Sequence, residues 1–252
     1  MSLVGVRRDG EVCVLTLQRE EKLNAISSAM ERELLEALSG DDVRGSRCVV
    51  VVGAGKAFSA GADINEFADA DAASIAAYYA DTGDVYERFA ALSMPTIAAI
   101  DGWCLGGGLE LALAADFRIA DETAAFGLPE VELGILPSSG GAYRLVRLVG
   151  PGRAKELMLL RRRFDASEAL AFGVVSEVVP AGKAAGRALG LAGELAELPP
   201  LAVETIKRAA DLIPEASREA AMLIERLGYA ALAQTDEATH AVDDFTRRDR
   251  RP

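Results

Sequence analysis

The sequence predicts an α/β fold whose C-terminal part is purely helical. Three observations carry this expectation. Short β-branched runs alternate with stretches of helical apolar spacing between Val12 and Phe126. Strand signal then disappears from about Ala181 onward. Half of the 252 residues are hydrophobic and 26% are charged, the composition of a globular chain long enough to bury a sizeable core.

The elements follow in order. Val12–Leu17 (V-C-V-L-T-L) reads as a strand. Ser28 followed by Glu31 resembles a capping box, and Met30, Leu34, Leu35 and Leu38 continue at helical spacing. Residues 47–52 (R-C-V-V-V-V) read as a buried strand, ending in a Gly53-Ala54-Gly55 loop. Alanine-rich residues 69–92 read as one helix. Pro95 opens an apolar strand at Thr96–Ile100, followed by a glycine loop over 102–108 and an apolar helical stretch over 109–115. Short strands follow around 117–119 and 125–126. Beyond them, residues 181–198, 201–212 and 216–233 form three amphipathic stretches before a charged tail, which reads as a separate helical subdomain. Pro199-Pro200 and Pro214 punctuate it.

Charge and rare residues narrow the chemistry. With 27 basic and 39 acidic residues the net charge is −12, so no nucleic acid or anionic membrane is expected as a partner. An anionic ligand would need a local basic patch. The one histidine, His240, sits in the charged tail, so a histidine-rich zinc site is excluded within one chain and acid–base work falls to carboxylates. Three scattered cysteines, Cys13, Cys48 and Cys104, form no CxxC pair and no disulfide framework. With no signal-peptide pattern and no stretch long enough to span a bilayer, a reduced, cytoplasmic location is expected.

Several motif readings fail. Gly53-Ala54-Gly55-Lys56 lacks the earlier glycine at Val50, and Ala57 stands where a magnesium-binding Ser or Thr is required. The 102–108 loop is not G-x-G-x-x-G, and Ser138-Ser139 lack the G-x-S-x-G frame. Asp116 and Asp121 match no metal loop and read as part of a solvated turn.

Two loops and two glutamates remain. Lys56-Ala57-Phe58-Ser59-Ala60-Gly61-Ala62-Asp63-Ile64 is rich in small residues that let a ligand approach the backbone. Gly106-Gly107-Gly108 opens a helix and leaves unpaired N–H groups facing outward, suited to a developing negative charge. Glu110 lies in that helix's first turn, and its spacing fits either a partner of the helix dipole or a catalytic group. Glu130, in G-L-P-E-V, reads on its residues alone as an exposed loop acid.

Taken together, these segments resemble the crotonase family, the enoyl-CoA hydratase/isomerase superfamily, over essentially the full length. The carriers are Lys22-Leu23-Asn24-Ala25, the 56–64 loop, Gly106-Gly107-Gly108-Leu109-Glu110-Leu111-Ala112, Phe126-Gly127-Leu128-Pro129-Glu130-Val131-Glu132-Leu133-Gly134, then Pro137 and Gly140-Gly141. The resemblance implies a spiral of ββα units over 1–195 and a helical oligomerisation region over 196–252, assembled as a trimer or a dimer of trimers. It implies an acyl-CoA thioester substrate and no metal or redox cofactor. By motif position the Ala62 and Gly107 N–H groups form an oxyanion hole, each donor worth about 3 kcal/mol to the transition state. Glu110 then acts as base on a water attacking C3 of a 2-enoyl thioester, and Glu130 delivers a proton to C2. Two carboxyls sharing such a site resist double ionisation.

CoA contacts are implied at Lys22, Leu23, Ala25, Ala60, Ala62, Asp63, Ile64 and Gly106, with Arg19 and Lys56 nearby. Phe245 and Arg248 align with positions that reach a neighbouring subunit's CoA. Trp103, Cys104, Ser138, Ser139 and Tyr143 depart from the type hydratase pattern. Ser138-Ser139 is similar to relatives acting on polar acyl groups, such as carnitinyl-CoA dehydratase. An isomerase or a dehydratase of a polar acyl-CoA is therefore the alternative on the same fold.

Overall fold

The computed structural model describes residues 2–66 and 71–248, with 243–248 as helix backbone alone. In chain order the elements are β1 (Val4–Asp9), β2 (Val12–Leu17), α1 (Ser28–Ser39), α2 (Asp41–Arg44), β3 (Cys48–Gly53), β4 (Ala57–Ser59), α3 (Ala72–Asp81), α4 (Val85–Ala90), β5 (Thr96–Ile100), β6 (Trp103–Leu105), α5 (Gly107–Ala114), β7 (Phe117–Asp121) and β8 (Ala125–Gly127). They continue with α6 (Gly141–Leu159), β9 (Phe164–Asp165), α7 (Ala166–Ala171), β10 (Glu177–Val179), α8 (Ala184–Ala196), α9 (Pro200–Leu212), α10 (Arg218–Leu232) and α11 (Asp236–Arg248).

One sheet has the order β1-β2-β3-β5-β7-β10 and the other β4-β6-β8-β9. The outer pairs β1/β2 and β8/β9 are antiparallel, and all other neighbours are parallel. Parallel neighbours need a crossover, which sets the climb of the chain. β3 and β4 lead into α3 and α4, β5 and β6 into α5, and β7 and β8 into α6. Each turn gives one strand to each sheet and then a helix. This is a spiral of ββα units, as the resemblance implies.

The corner between sheets leaves no room for side chains. A Cβ on Gly53 would stand 2.2 Å from the Ala57 carbonyl oxygen, and one on Gly102 (φ +63) 2.1 Å from that of Lys56. Residues Val49, Val51, Ala98 and Ile100 of the first sheet pack with Phe58, Leu109 and Phe126 in the main core. The other face of that sheet buries Val50, Ile97 and Ile119 against Ala184, Ala188 and Ala192 of α8. Alanine at every fourth position lets the helix lie close to the β-branched strands.

The chain divides into two compact units, Met1–Ala196 and Glu197–Pro252. The second holds α9, α10 and α11, and neither α9 nor α10 fully buries a residue. No described helix is long and apolar enough to cross a membrane.

Several sequence expectations change in detail. Ser27, not Ser28, caps α1 by accepting the Met30 N–H. Ser28 instead donates its N–H and hydroxyl to Glu66, and Glu31 turns inward, only 2% exposed. The 69–92 stretch breaks around Gly83 into α3 and α4, with Asp69 outside the described residues. The two loops at 56–64 and 102–108 each contain a short strand, β4 and β6, because their backbones pair with each other. The first of the three C-terminal amphipathic stretches, carrying α8, belongs to the sheet unit, and the charged tail forms α11. Asp121 is buried rather than solvated. It accepts from Thr123 and Gly182 and pairs with the Asp101 carboxyl, whose pKa is pushed up to about 6 by burial and by that neighbour.

Candidate active site

The backbone around Ala62 is fixed by its pairing with the end of the 22–26 loop. Ile26 donates its N–H to the Gly61 carbonyl at 2.8 Å, and Asp63 donates to the Ile26 carbonyl at 2.8 Å. In such a parallel bridge the intervening residue points its own N–H the other way. Ala62 is that residue. Its N–H therefore turns toward the glycine loop, where a Cβ on Gly107 would stand 3.2 Å from the Ala62 nitrogen. Gly107 is the first residue of α5, so its N–H belongs to the group a helix start leaves without an intrahelical acceptor. Gly106 reaches this turn at φ 49, ψ −127, a conformation suited to glycine. Gly108 is needed for contact: a Cβ there would stand 2.6 Å from the Ser59 carbonyl oxygen. The geometry brings the Ala62 nitrogen close to the first residue of α5, Gly107.

Glu110 lies one turn further along α5 and is 5% exposed. Its Oε1 accepts N–H bonds from Ser139 at 2.8 Å and Gly141 at 2.9 Å. Gly141 begins α6, and the N-cap Gly140 has no side chain to offer. Glu110 thus supplies the cap from another element. Burial pushes its pKa up, while these two N–H donors and the Arg144 charge pull the other way, leaving it raised.

Glu130 begins the short 3-10 turn Glu130–Leu133. A Cβ on Gly106 would stand 3.1 Å from its Oε1, so the carboxyl faces the glycine loop. Its Oε2 is buried and has no hydrogen-bond partner. Burial, reinforced by the Glu110 charge, pushes its pKa up to about 7. The expected exposed loop acid is therefore a half-buried one that feels the Glu110 charge. The two carboxyls differ in kind: one rests on backbone donors, and the other has an unmatched oxygen.

The loops expected to receive CoA form a zipped pair. Ala60 donates to the Leu23 carbonyl at 2.9 Å, which adds to the two bonds around Ile26. Asn24 organises the turn from within: it is fully buried, adopts φ +54, and donates to the Ala54 and Ala57 carbonyls at 2.8 Å each. Its Oδ1 accepts the Arg19 N–H at 2.9 Å. Arg19 pairs with Asp63 at 2.8 Å, both sheltered. Lys22, Leu23, Lys56, Ala62 and Ile64 are exposed, and Ala25 and Ala60 are partly so. Phe245 and Arg248 fall on α11, and their side chains lie outside the described residues.

Among the residues that depart from the type pattern, Cys104 is buried core, and Trp103 lies 37% exposed under the Arg163 guanidinium. Tyr143 does not pack inward. It is 55% exposed on α6 and accepts a hydrogen bond from Arg147. Sequence reasoning did not anticipate Ser139 and Gly141 as donors to Glu110, nor the buried Glu31 with its tyrosines. The unaccompanied Glu31 on an apolar helix face was the available signal.

A family profile described as enoyl-CoA hydratase/isomerase matches residues 7–251. The chain belongs to that family. A Mycobacterium tuberculosis protein named "Probable enoyl-CoA hydratase" is 40% identical over 235 residues, covering 92% of this chain and 91% of that one. The 2,3-dehydroadipyl-CoA hydratase of Escherichia coli is 37% identical over 251 residues, covering 98% and 97%. An enoyl-CoA hydratase structure from Geobacillus kaustophilus superposes with a TM-score of 0.91 at 36% identity, covering 99% and 96%. As a member of the enoyl-CoA hydratase/isomerase family this chain is an enzyme, and hydration of enoyl-CoA is the activity its family and relatives support.

Proposed function

We propose that this enzyme adds water across the 2,3 double bond of a 2-enoyl-CoA thioester, with Glu110 as base, Glu130 as acid and the Ala62 and Gly107 N–H groups as oxyanion hole. The observation carrying the assignment is the asymmetry of the two carboxyls. The N–H groups of Ser139 and Gly141 favour ionised Glu110, whereas Glu130 has a bare buried oxygen and a pKa near that of neutral solution, about 7. Water loses a proton to Glu110 as its oxygen bonds to C3. The π electrons move onto the thioester oxygen, held by the two backbone donors. As the enolate collapses, Glu130 gives its proton to C2, and the product is the 3-hydroxyacyl-CoA. Proton return from Glu110 to Glu130 resets the pair.

The CoA portion then lies along Lys22, Leu23, Ala25, Ala60, Ala62, Asp63, Ile64 and Gly106, with Phe245 and Arg248 offered to a neighbouring subunit. Exposed Ile206, Leu223 and Leu227 of α9 and α10 support an oligomerisation role for 196–252, as a trimer or a dimer of trimers. The chemistry needs no cofactor beyond the CoA of the substrate, and the reduced cysteines suit a cytoplasmic enzyme. Isomerisation or dehydration of a polar acyl-CoA is not favoured by relatives named as hydratases.

The test is loss of enoyl-thioester absorbance with crotonyl-CoA. Activity that collapses in both Glu110→Gln and Glu130→Gln is expected. Full hydration by either variant would overturn the assignment of the pair.

A further inference from the structure

We infer that Tyr79 is a positioning residue for Glu110, acting through Ser138 on the short segment that holds the base. The inference rests on the reading of Glu110 as base. Both of that carboxylate's backbone donors come from one stretch, residues 139–141, at the start of α6. Whatever holds that stretch sets the direction of both hydrogen bonds.

Two contacts hold it, one from Tyr79 of α3 and one from Arg144 of α6, whose guanidinium is in turn tied to α4. The Tyr79 hydroxyl donates to Ser138 Oγ, one residue before the Ser139 N–H that meets Glu110. Arg144 donates to the Ser139 carbonyl at 3.1 Å, and its other terminal nitrogen donates to Glu87 of α4 at 2.7 Å. The segment is thus gripped at the Ser138 side chain and at the Ser139 carbonyl, with its N–H groups left for Glu110.

Tyr79 is itself held. None of the ten residues of α3 is fully buried, so apolar packing fixes this helix weakly. It is tied down instead through Glu31 of α1, which accepts from the Tyr78 hydroxyl at 2.6 Å and from Thr82 at 2.7 Å. The rings of Tyr78 and Tyr79 meet edge-on at 4.9 Å. The adjacent tyrosines therefore act in different directions. Tyr78 anchors the helix on a buried carboxylate, and Tyr79 reaches from it to the cradle of the base.

The charged groups that act on Glu110 are Arg144 from α6 and Glu31 from α1, and the Glu110 charge is in turn felt by Glu130 in the 3-10 turn and by Tyr78 and Tyr86 of α3 and α4. Tyr79→Phe leaves all of them in place. It removes only the hydroxyl that restrains Ser138. The donors then drift, the ionised form of Glu110 loses support, and its pKa rises. The acid limb of kcat/KM moves to higher pH.

The test is a double-mutant cycle of Tyr79→Phe and Ser138→Ala. Each single variant is expected to lower kcat about tenfold at neutral pH with KM changed less than twofold, because small displacements of a catalytic group are costly. The double variant should be no worse than either single one. In parallel, carboxyl carbon-13 titration of glutamate-labelled protein follows the Glu110 resonance, assigned by its loss in Glu110→Gln, and should move to higher pKa in both singles. Unchanged Glu110 titration, or effects that add in the double variant, would overturn the inference. The titration needs no turnover, so failure of crotonyl-CoA hydration in the wild type would sink the functional reading and leave this test standing.

Discussion

The pKa of Glu130, about 7, makes the pH profile the most demanding test of the mechanism. Glu130 acts as a proton donor, so it must be protonated when the enoyl thioester binds. An unperturbed glutamate at 4.5 would be protonated in only about one molecule in 300 at pH 7. With burial and the Glu110 charge raising it to about 7, half of the molecules carry the proton at that pH. The sign follows directly: a raised carboxyl pKa preserves the acid form below pH 7 and loses it above. The active fraction should fall to about a tenth at pH 8 and about a hundredth at pH 9. The assay is kcat/KM for crotonyl-CoA hydration from about pH 5 to about pH 10, alongside carboxyl carbon-13 titration of the same protein. An alkaline limb near pH 7 that tracks the Glu130 resonance is expected. Rates that stay level through pH 9 would refute the role of Glu130 as acid.

Other expectations follow from the same geometry. Gly107→Ala places a methyl 3.2 Å from the Ala62 nitrogen and 3.3 Å from the Tyr86 hydroxyl, so kcat should fall about 100-fold or more with little change in Tm. Gly108→Ala sets its methyl 2.6 Å from the Ser59 carbonyl oxygen and 2.7 Å from Ser59 Cβ, so thermal denaturation should show a loss of about 1–3 kcal/mol. Asn24→Ala strands the buried Ala57 carbonyl, the half-buried Ala54 carbonyl and one N–H, a cost of about 3 kcal/mol, and CoA affinity should weaken with it in calorimetry. Glu130→Gln should raise Tm more at pH 8 than at pH 5. The wild-type acid becomes costly to bury as it ionises between its ordinary range and about 7, and the amide avoids that change.

Much of this site was legible in the chain because its parts are local. Gly106-Gly107-Gly108 followed by Glu110 already placed backbone donors and an acid at one helix start, and the structure brings Ala62 against them. The apolar runs at β3 and β5 were legible because both of their faces are buried. What escaped notice depends on pairing across distance. β4 and β6 are three residues each and become strands only through distant partners, β4 by meeting β6 and β6 by meeting β4 and β8. The helix breaks around Gly83, a position with no room for a side chain, since a Cβ there would stand 2.8 Å from the rings of Tyr78 and Tyr79. Asp121 looked like a turn residue because its partners, Asp101 and Gly182, lie far off in sequence. Glu130 gave no local sign of its burial, since the apolar residues that follow it, Val131, Leu133, Ile135 and Leu136, are themselves exposed.

The first turn of α6 begins on a glycine and takes its cap from Glu110. Replacing this acid by an apolar residue would remove a carboxylate from the site and also leave two amide groups at the entry to α6, those of Ser139 and Gly141, without their acceptor, at a cost of about 1–2 kcal/mol. Substitution at position 110 is therefore never a change of chemistry alone. An apolar residue there would cost stability as well as a carboxylate, because the same oxygen serves as helix cap.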